Sequence, residues 1–395
     1  MNNTGGTKKY ALIFVILMGL VSLFADMAYE GARSISGPFL GALGASAALI
    51  GLIAGFGELI GYGLRLIFGY ISDRTKQYWS ITIIGYAINL AAVPLLALAD
   101  RWELAAALVV AERLGKAIRT PARDAMLSYA THQTGRGWGF GLHEALDQIG
   151  AVLGPLLVAL IFFLKGSYKY SFALLAIPAI LAISILLCAR FLYPSPRKME
   201  RAYQSFPQHL PKTFWIYMAA AGLMAAGFAD YPLISYHFSH KNVFSPEWIP
   251  VFYAVAMGTD GLAALIFGYL YDRIGYTSLI IGTLLASLFA PLVFLGGLWS
   301  ALSGCVLWGI GMGIQESLLR AIVADTIPQQ RRATAYGIFN SVFGLCWFIG
   351  SALMGFLYGI SLVALVVFSL VTQISAVPLL FAARYQQSSD KSKHP

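Results

Sequence analysis

Fourteen ionisable residues lie inside stretches that are otherwise apolar, and these side chains are the ones placed to do chemistry. Asp26, Glu30 and Arg33 share the first stretch and Glu58 and Arg65 the second. Glu112 and Arg113 lie in the fourth, and His143, Glu144 and Asp147 in the fifth. Asp230, Asp260, Glu316 and Arg320 lie in the second half of the chain. An ionised group at mid-bilayer costs upward of about 2.5 kcal/mol, so each needs a partner, a wet cavity or a change of protonation. Spacing offers some partners: Glu30 with Arg33, Glu112 with Lys116 and Glu316 with Arg320 are three or four apart and share a helix face. Asp26 and Glu58 have no opposite charge at those spacings and require a tertiary partner or a proton. Glu144 and Asp147 are like charges three apart, which repel unless one holds a proton. These four are the candidate proton sites. His143 reads equally as a satisfied polar residue or a proton relay. The imbalance predicts a lopsided cavity with its titrating chemistry in the N-terminal half.

The elements that must position these groups are set by composition. Hydrophobic residues make up 58% of the 395 and charged residues 11%, with a mean hydropathy of +0.71. Apolar stretches of about 20 residues match a hydrocarbon core about 30 Å thick. In lipid an unpaired backbone amide has no partner, so the spans must be helices. The pattern predicts an all-α polytopic membrane protein with twelve transmembrane helices: 10–35, 46–72, 78–99, 102–127, 136–164 and 168–193, then 213–238, 249–271, 276–298, 300–325, 333–359 and 361–384. Lys8-Lys9 before the first run resembles the start of a signal peptide. That run continues to Arg33 without a small-residue cleavage site, and so reads as an uncleaved first span. Cys188, Cys305 and Cys346 are widely spaced inside apolar segments and read as buried small hydrophobes, with no disulfide framework and no metal site.

Two halves are written into the sequence. Gly69-Tyr70-Ile71-Ser72-Asp73-Arg74 returns 199 residues later as Gly268-Tyr269-Leu270-Tyr271-Asp272-Arg273, and Gly115, Gly141 and Gly154 return as Gly311, Gly337 and Gly350 at an offset of 196. This duplication divides the chain into a six-helix half at 1–193, a polar linker at 194–212, a second six-helix half at 213–384 and a disordered tail at 385–395. The net charge of +9 reads as topology rather than nucleic-acid binding. With both termini on one side, that side carries sixteen Lys and Arg in its loops and tails against four on the other. The bias places both termini in the cytoplasm, in the cell or inner membrane.

Twelve spans in six-plus-six halves, a basic central linker and the duplicated loop signature together resemble the major facilitator superfamily over nearly the whole chain. The loop signature matches at Gly69, Asp73, Arg74 and Lys76, with Thr75-Lys76 where the family usually has x-Gly; the second copy keeps Gly268, Asp272, Arg273 and Gly275. The resemblance implies that Asp73 and Asp272 face neighbouring helix N-termini and latch the halves together on the cytoplasmic side. Gly69 and Gly268 would let a neighbouring helix approach closely. Gly150-Ala151-Val152-Leu153-Gly154-Pro155 is similar to the core of the family's antiporter motif, without its trailing glycine pair. Arg113 matches the arginine of the family's fourth-helix motif, although Lys116 and Ala117 replace its Gln-Gly. Arg119 and Arg123 are expected at the cytoplasmic end, against lipid phosphate or the other half. The resemblance also implies that spans 1, 4, 7 and 10 line a central cavity, where Asp26 and Arg113 would meet at one depth and form a coupling switch. Tyr29, Tyr231, Tyr236 and Trp308 are the aromatic candidates for substrate contact.

The implied function is secondary transport of a small-molecule substrate by alternating access, by a protein working as a monomer in the lipid bilayer. Proton-coupled efflux of an amphiphilic compound is the leading reading. Proton-driven uptake of a nutrient or organic anion, a lysolipid flippase and a non-transporting membrane sensor are the alternatives. No Walker loop, metal-spaced cluster or nucleotide-holding domain is present, which argues against an enzyme and against any cofactor.

Overall fold

The computed structural model describes residues 4–134, 136–194, 210–327 and 332–393. Among them every regular element is helical. The first half comprises α1 (Thr4–Ala42), α2 (Ala47–Thr75), α3 (Tyr78–Leu95), α4 (Trp102–Thr134), α5 (Arg136–Lys165), α6 (Tyr168–Leu174) and α7 (Ala176–Leu192). The second half comprises α8 (Lys212–Ala226), α9 (Tyr231–His240), α10 (Trp248–Ile274), α11 (Tyr276–Ser287), α12 (Phe289–Leu295), α13 (Leu298–Thr326), α14 (Arg332–Ile360) and α15 (Leu362–Lys393). The predicted spans 6, 7 and 9 each become two consecutive helices. Residues 195–209 of the predicted linker lie outside the described residues. The tail expected to be disordered instead continues α15 as helix to Lys393.

Among the described residues, ten stretches are long and apolar enough to cross a membrane. The two predicted spans missing from that set are exceptions for different reasons. α4 carries too many charges, and the α8–α9 rod is interrupted at Gly227–Asp230, which leaves each piece short. The opened backbone at that break is satisfied from within the protein. Ser369 Oγ donates to the Gly227 carbonyl at 2.6 Å, Gln373 Nε2 to the same oxygen at 3.1 Å, and Trp308 Nε1 to the Ala229 carbonyl at 2.8 Å. Irregular backbone at membrane depth is tolerated on that condition. Asp230 then caps α9, its Oδ1 accepting from the Tyr231 amide at 2.9 Å.

Each half is built around its own apolar cluster. Between the halves, α2 packs along α14 and α5 packs on α10, the same pairing seen from either side of the duplication, while α1 meets α9. Glycines set the closest approaches. A methyl group on Gly154 would run into the Met27 carbonyl of α1, and one on Gly350 into the Ala226 carbonyl of α8, so these repeat partners seat equivalent helices. Gly115 and Gly311 likewise seat α4 on α3 and α13 on α11. The third pair departs from the pattern, with open space at Gly141 and Leu66 against Gly337.

An even number of crossings puts the two described ends on one face, called here the terminal face. Towards the opposite face, methyl groups on Gly37 and Gly41 would strike Pro232 and Tyr236, and those on Gly51 and Gly355 would strike α14 and α2 backbone. The halves are therefore in backbone contact at that end.

Two expectations for the loop signature fail. A methyl on Gly69 would meet only Pro121, at an ordinary 3.6 Å, and Gly268 faces open space. No helix is packed closely on either glycine, because the halves stand apart at the terminal face. Lys76, in the place of the usual glycine, adopts φ 57° and ψ 20°, and Gly275 in the second copy has φ 57°. Both copies thus take a positive φ at this position, at Lys76 without the residue that favours it, while ψ differs, 20° against −135°. Cys305 is buried as expected and Cys346 half-buried, whereas Cys188 is exposed on the outside of the bundle.

Gly154→Ala and Gly350→Ala should each cost about 1–3 kcal/mol through overpacking and lower the melting temperature of the purified protein. Gly268→Ala should leave it unchanged or raise it, because helix propensity favours alanine where space is open.

Candidate functional site

Arg33 is the hub of the buried charges. It is 9% exposed. Its Nη2 donates to Glu58 Oε1 on α2 at 3.0 Å and to Asp230 Oδ1 at the start of α9 at 2.7 Å. Glu30, one turn earlier on α1, lies 3.9 Å from Nη1. The expected Glu30–Arg33 pair is therefore one edge of a larger network that crosses between the halves. Glu58 obtains the tertiary partner it needed twice over, since Arg113 Nη2 also reaches its Oε1 at 3.2 Å. Glu30 accepts a short hydrogen bond from Tyr253 of α10, a second link between the halves.

Arg113 therefore does not meet Asp26. Its other partner is Glu112 at 3.3 Å, and Glu112 is held by Asn89 Nδ2 at 2.8 Å, so Glu112 does not pair with Lys116 either. Lys116 lies 3.9 Å from Glu30, with its ammonium 4.5 Å from the centre of the Tyr29 ring. Side-chain direction along α4 accounts for these differences. Residues 112 and 113 point towards α3 and α2, while 116 points towards α1. Arg119, expected at the terminal end against lipid or the other half, is 1% exposed. It stacks on Tyr86 at 4.3 Å and donates to the Tyr86 hydroxyl at 3.0 Å.

A cavity of about 640 Å³ runs between the halves from Arg33, Glu58 and Arg113 to Tyr70 and Asp73 at the last turn of α2. It gathers Arg65, Lys116, Arg123, Asp124, Glu144 and Asp147 from the first half and Glu316, Arg320, Tyr336 and Trp347 from the second. The first half supplies most of the charge, as expected. The Glu316–Arg320 pair does not form as an ion pair among the described residues. Arg65 Nε donates to the Gly61 carbonyl at 2.8 Å, and its guanidinium lies over Tyr62 at 4.6 Å. Asp260 is 4% exposed and stands outside the cavity, within hydrogen-bonding reach of Gln148 on α5. Of the aromatic candidates only Tyr29 lines the cavity. Tyr231 and Trp308 are fully buried in the second half's core, and Tyr236 stacks on His240 beyond the closed end.

Asp26 is 3% exposed and lies where α1 crosses α5, with Asp147 as its neighbour. His143 Nε2 is 3.0 Å from Ser22 Oγ, and Arg123 Nη1 donates to that hydroxyl at 3.2 Å while its Nη2 holds Asp124 at 2.9 Å. The motif Gly150-x-x-x-Gly154-Pro155 makes this crossing close, since methyl groups at the two glycines would strike the carbonyls of Leu23 and Met27, on either side of Asp26.

Among the described residues, Asp73 and Asp272 of the loop signature make no inter-half latch in this conformation. Asp73 accepts from Tyr78 within its own half at 3.4 Å, Arg74 donates to Tyr70 at 3.4 Å, Arg273 lies over Tyr269 at 4.4 Å, and Asp272 is exposed. Sequence reasoning missed Tyr253, Gln148, Ser22 and Asn89, which are ordinary residues of apolar helices until a charge is placed beside them. The Arg33–Asp230 pair had a signal. The two are 197 residues apart, almost the repeat offset, so they occupy equivalent places on the two helices that meet at the centre.

The Major Facilitator Superfamily model matches residues 18–351 and 214–395. An uncharacterised protein of Mycobacterium tuberculosis is 41% identical over 379 residues, covering 94% of this chain and 93% of that one. An uncharacterised transporter of the same superfamily type from Methanocaldococcus jannaschii is 28% identical over 363 residues, 88% of this chain and 89% of its own length. The multidrug resistance protein MdtH of Yersinia pestis is 31% identical over 150 residues, 38% of this chain and 36% of that protein. Among solved structures, the nucleoside transporter NupG superposes with a TM-score of 0.71 at 16% identity, over 94% of this chain and 98% of its own. The peptide transporter POT gives 0.70 at 15% identity, over 93% of both chains.

Arg33→Met should leave Asp230 without its countercharge and Glu58 with one of two. Removing one member of a buried ionic group costs about 3–5 kcal/mol, read as a lower melting temperature in detergent. Arg33→Met/Asp230→Asn should recover part of that loss, as coupled neighbours do.

Proposed function

Because the chain belongs to the major facilitator superfamily, we propose that it is a secondary transporter exporting an amphiphilic solute in exchange for protons, with both termini in the cytoplasm of the cell membrane. The observation that carries this reading is the cavity between the halves. It opens at the terminal face, ends at the Arg33–Glu58–Arg113 cluster, and is closed beyond it by the Arg33–Asp230 and Glu30–Tyr253 links. The positive-inside count supports a cytoplasmic terminal face. The conformation is then the one that loads a solute from inside the cell. The absence of a latch at Asp73 and Asp272 agrees with an open cytoplasmic side. Tyr29, Tyr62, Tyr336 and Trp347 offer aromatic surface beside the charges, which suits a solute with both an apolar body and a polar group. Likeness to a multidrug resistance protein over 150 residues supports export.

Uptake of an organic anion is the second reading, favoured by Arg65 and Arg320, which line the cavity from opposite halves without an ion pair among the described residues.

Proteoliposomes with an imposed pH gradient and a panel of labelled organic cations, organic anions and lysolipids test both. Export predicts that a labelled amphiphile moves against the proton flow, and that Asp26→Asn reduces its flux to the level of empty liposomes. Accumulation of an organic anion in the direction of proton flow would establish uptake instead. Flux indifferent to the gradient would reject proton coupling.

A further inference from the structure

Two carboxyl groups meet at the crossing of α1 and α5. Asp26 and Asp147 stand one turn on, along both helices, from the 3.0 Å contact of Ser22 with His143, and the Oδ1 atom of each is out of contact with water and has no donor against it. Ionised carboxylates are acceptors only, so a bond between two of them requires a hydrogen held on one. Without it they repel at contact distance.

The surrounding charges do not replace that hydrogen. On α4, Lys116 is turned to Glu30 and the Tyr29 ring, Arg119 to Tyr86, and Arg123 to Asp124 and Ser22. On α5, His143 is bonded to Ser22, and Glu144 points to the cavity. Glu30 and Tyr29 are the neighbours on α1 itself, Glu316 of α13 faces the pair across the cavity, and α7 carries a single charge, Arg190, in its last turn. None of these cations makes an ion pair with either aspartate among the described residues.

Access to the two is unequal. Asp147 lines the cavity and Asp26 lies behind it. We propose that Asp26 and Asp147 form one site for a single shared proton, loaded from the cavity through Asp147, and that this proton is the coupling ion. The assignment rests on the proton-coupled reading and gives it an address. Asp26, Glu30 and Arg33 follow one another at turn spacing on α1, so the site and the inter-half Arg33–Asp230 pair ride on one rigid helix, roughly 10 Å apart at 1.5 Å per residue. Loss of the proton leaves two anions in contact and drives α1 away from α5, straining the contact that Arg33 makes with the other half. Gly150 and Gly154 set how close the two carboxyls come.

Infrared difference spectroscopy of the reconstituted protein tests this without knowledge of the solute. Wild type titrated in potassium buffer should show the carbonyl stretch of one protonated carboxylic acid at neutral pH, shifted in deuterium oxide. Asp26→Asn and Asp147→Asn should each move that band or its titration midpoint, the double variant should lack it, and Glu144→Gln should keep it. A band untouched by either single Asn variant, or abolished by Glu144→Gln, overturns the shared site. A band abolished when sodium replaces potassium at constant pH overturns the proton in favour of a sodium ion. In wild type, gradient-driven flux with no such band rejects the pair while leaving proton coupling intact. A band without gradient-driven flux rejects the coupling role while leaving the pair.

Discussion

A guanidinium drawn out of water inside a bundle must be met by carboxylates, and at Arg33 these come from both halves of the chain. Burying a charge costs several kcal/mol unless opposite charges and hydrogen bonds are arranged around it. Glu58 supplies that arrangement from α2 and Asp230 from the start of α9. Asp230 is available only because the seventh span is broken at Gly227–Asp230, which turns its carboxylate inward as a helix cap. The break is possible in turn because Ser369, Gln373 and Trp308 take up the freed carbonyls. The central ion pair, the interrupted helix and the packing of α13 and α15 behind it are thus one linked set of requirements.

The same set divides the molecule functionally. On one side of Arg33, glycines bring α1 against α9 and α2 against α14 at backbone distance. On the other side the halves separate around a charged cavity. A rocking motion that closes the cavity must open the glycine contacts and break Arg33 from Asp230 and Tyr253 from Glu30. When Arg33 leaves, Asp230 and Glu58 lose a countercharge at mid-membrane, so a bound solute or a relocated proton is needed to stabilise the opposite state. Under the proposed transport cycle, charge balance in the cavity and conformation would be coupled by the chemistry of a few side chains.

Much of this was legible in the sequence. The helical, membrane-spanning character, the duplication and the charge asymmetry follow from composition and periodicity, which report on solvent and backbone. Most of the buried charges were on the list as well, because a charge in an apolar stretch is conspicuous, but Arg119 and His237 are buried and were not. Partner choice was not legible. Asp26 was matched to Arg113 by depth alone, yet rotation about α4 sends Arg113 to Glu58 and Glu112. Glu112 and Lys116 had suitable spacing but other neighbours, Glu316 and Arg320 form no ion pair among the described residues, and helix spacing says only which residues share a face. Polar residues such as Ser22 and Tyr253 carry no signal until tertiary packing sets them beside an ion. Conformational state was hidden too, since the loop signature reads the same whether Asp73 is latched or, as found, held within its own half.

Closure of the non-terminal side is ascribed to the Arg33–Asp230 pair. Pulsed electron–electron distance measurement decides it most directly, with spin labels at Lys169→Cys and Trp299→Cys, exposed residues of opposite halves on that face, in a background without the native cysteines. In lipid the unmodified pair should give one short, narrow distance distribution, and Asp230→Asn should populate a longer one. An unchanged distribution in Asp230→Asn and Arg33→Gln alike would contradict the account and leave closure to the glycine contacts alone.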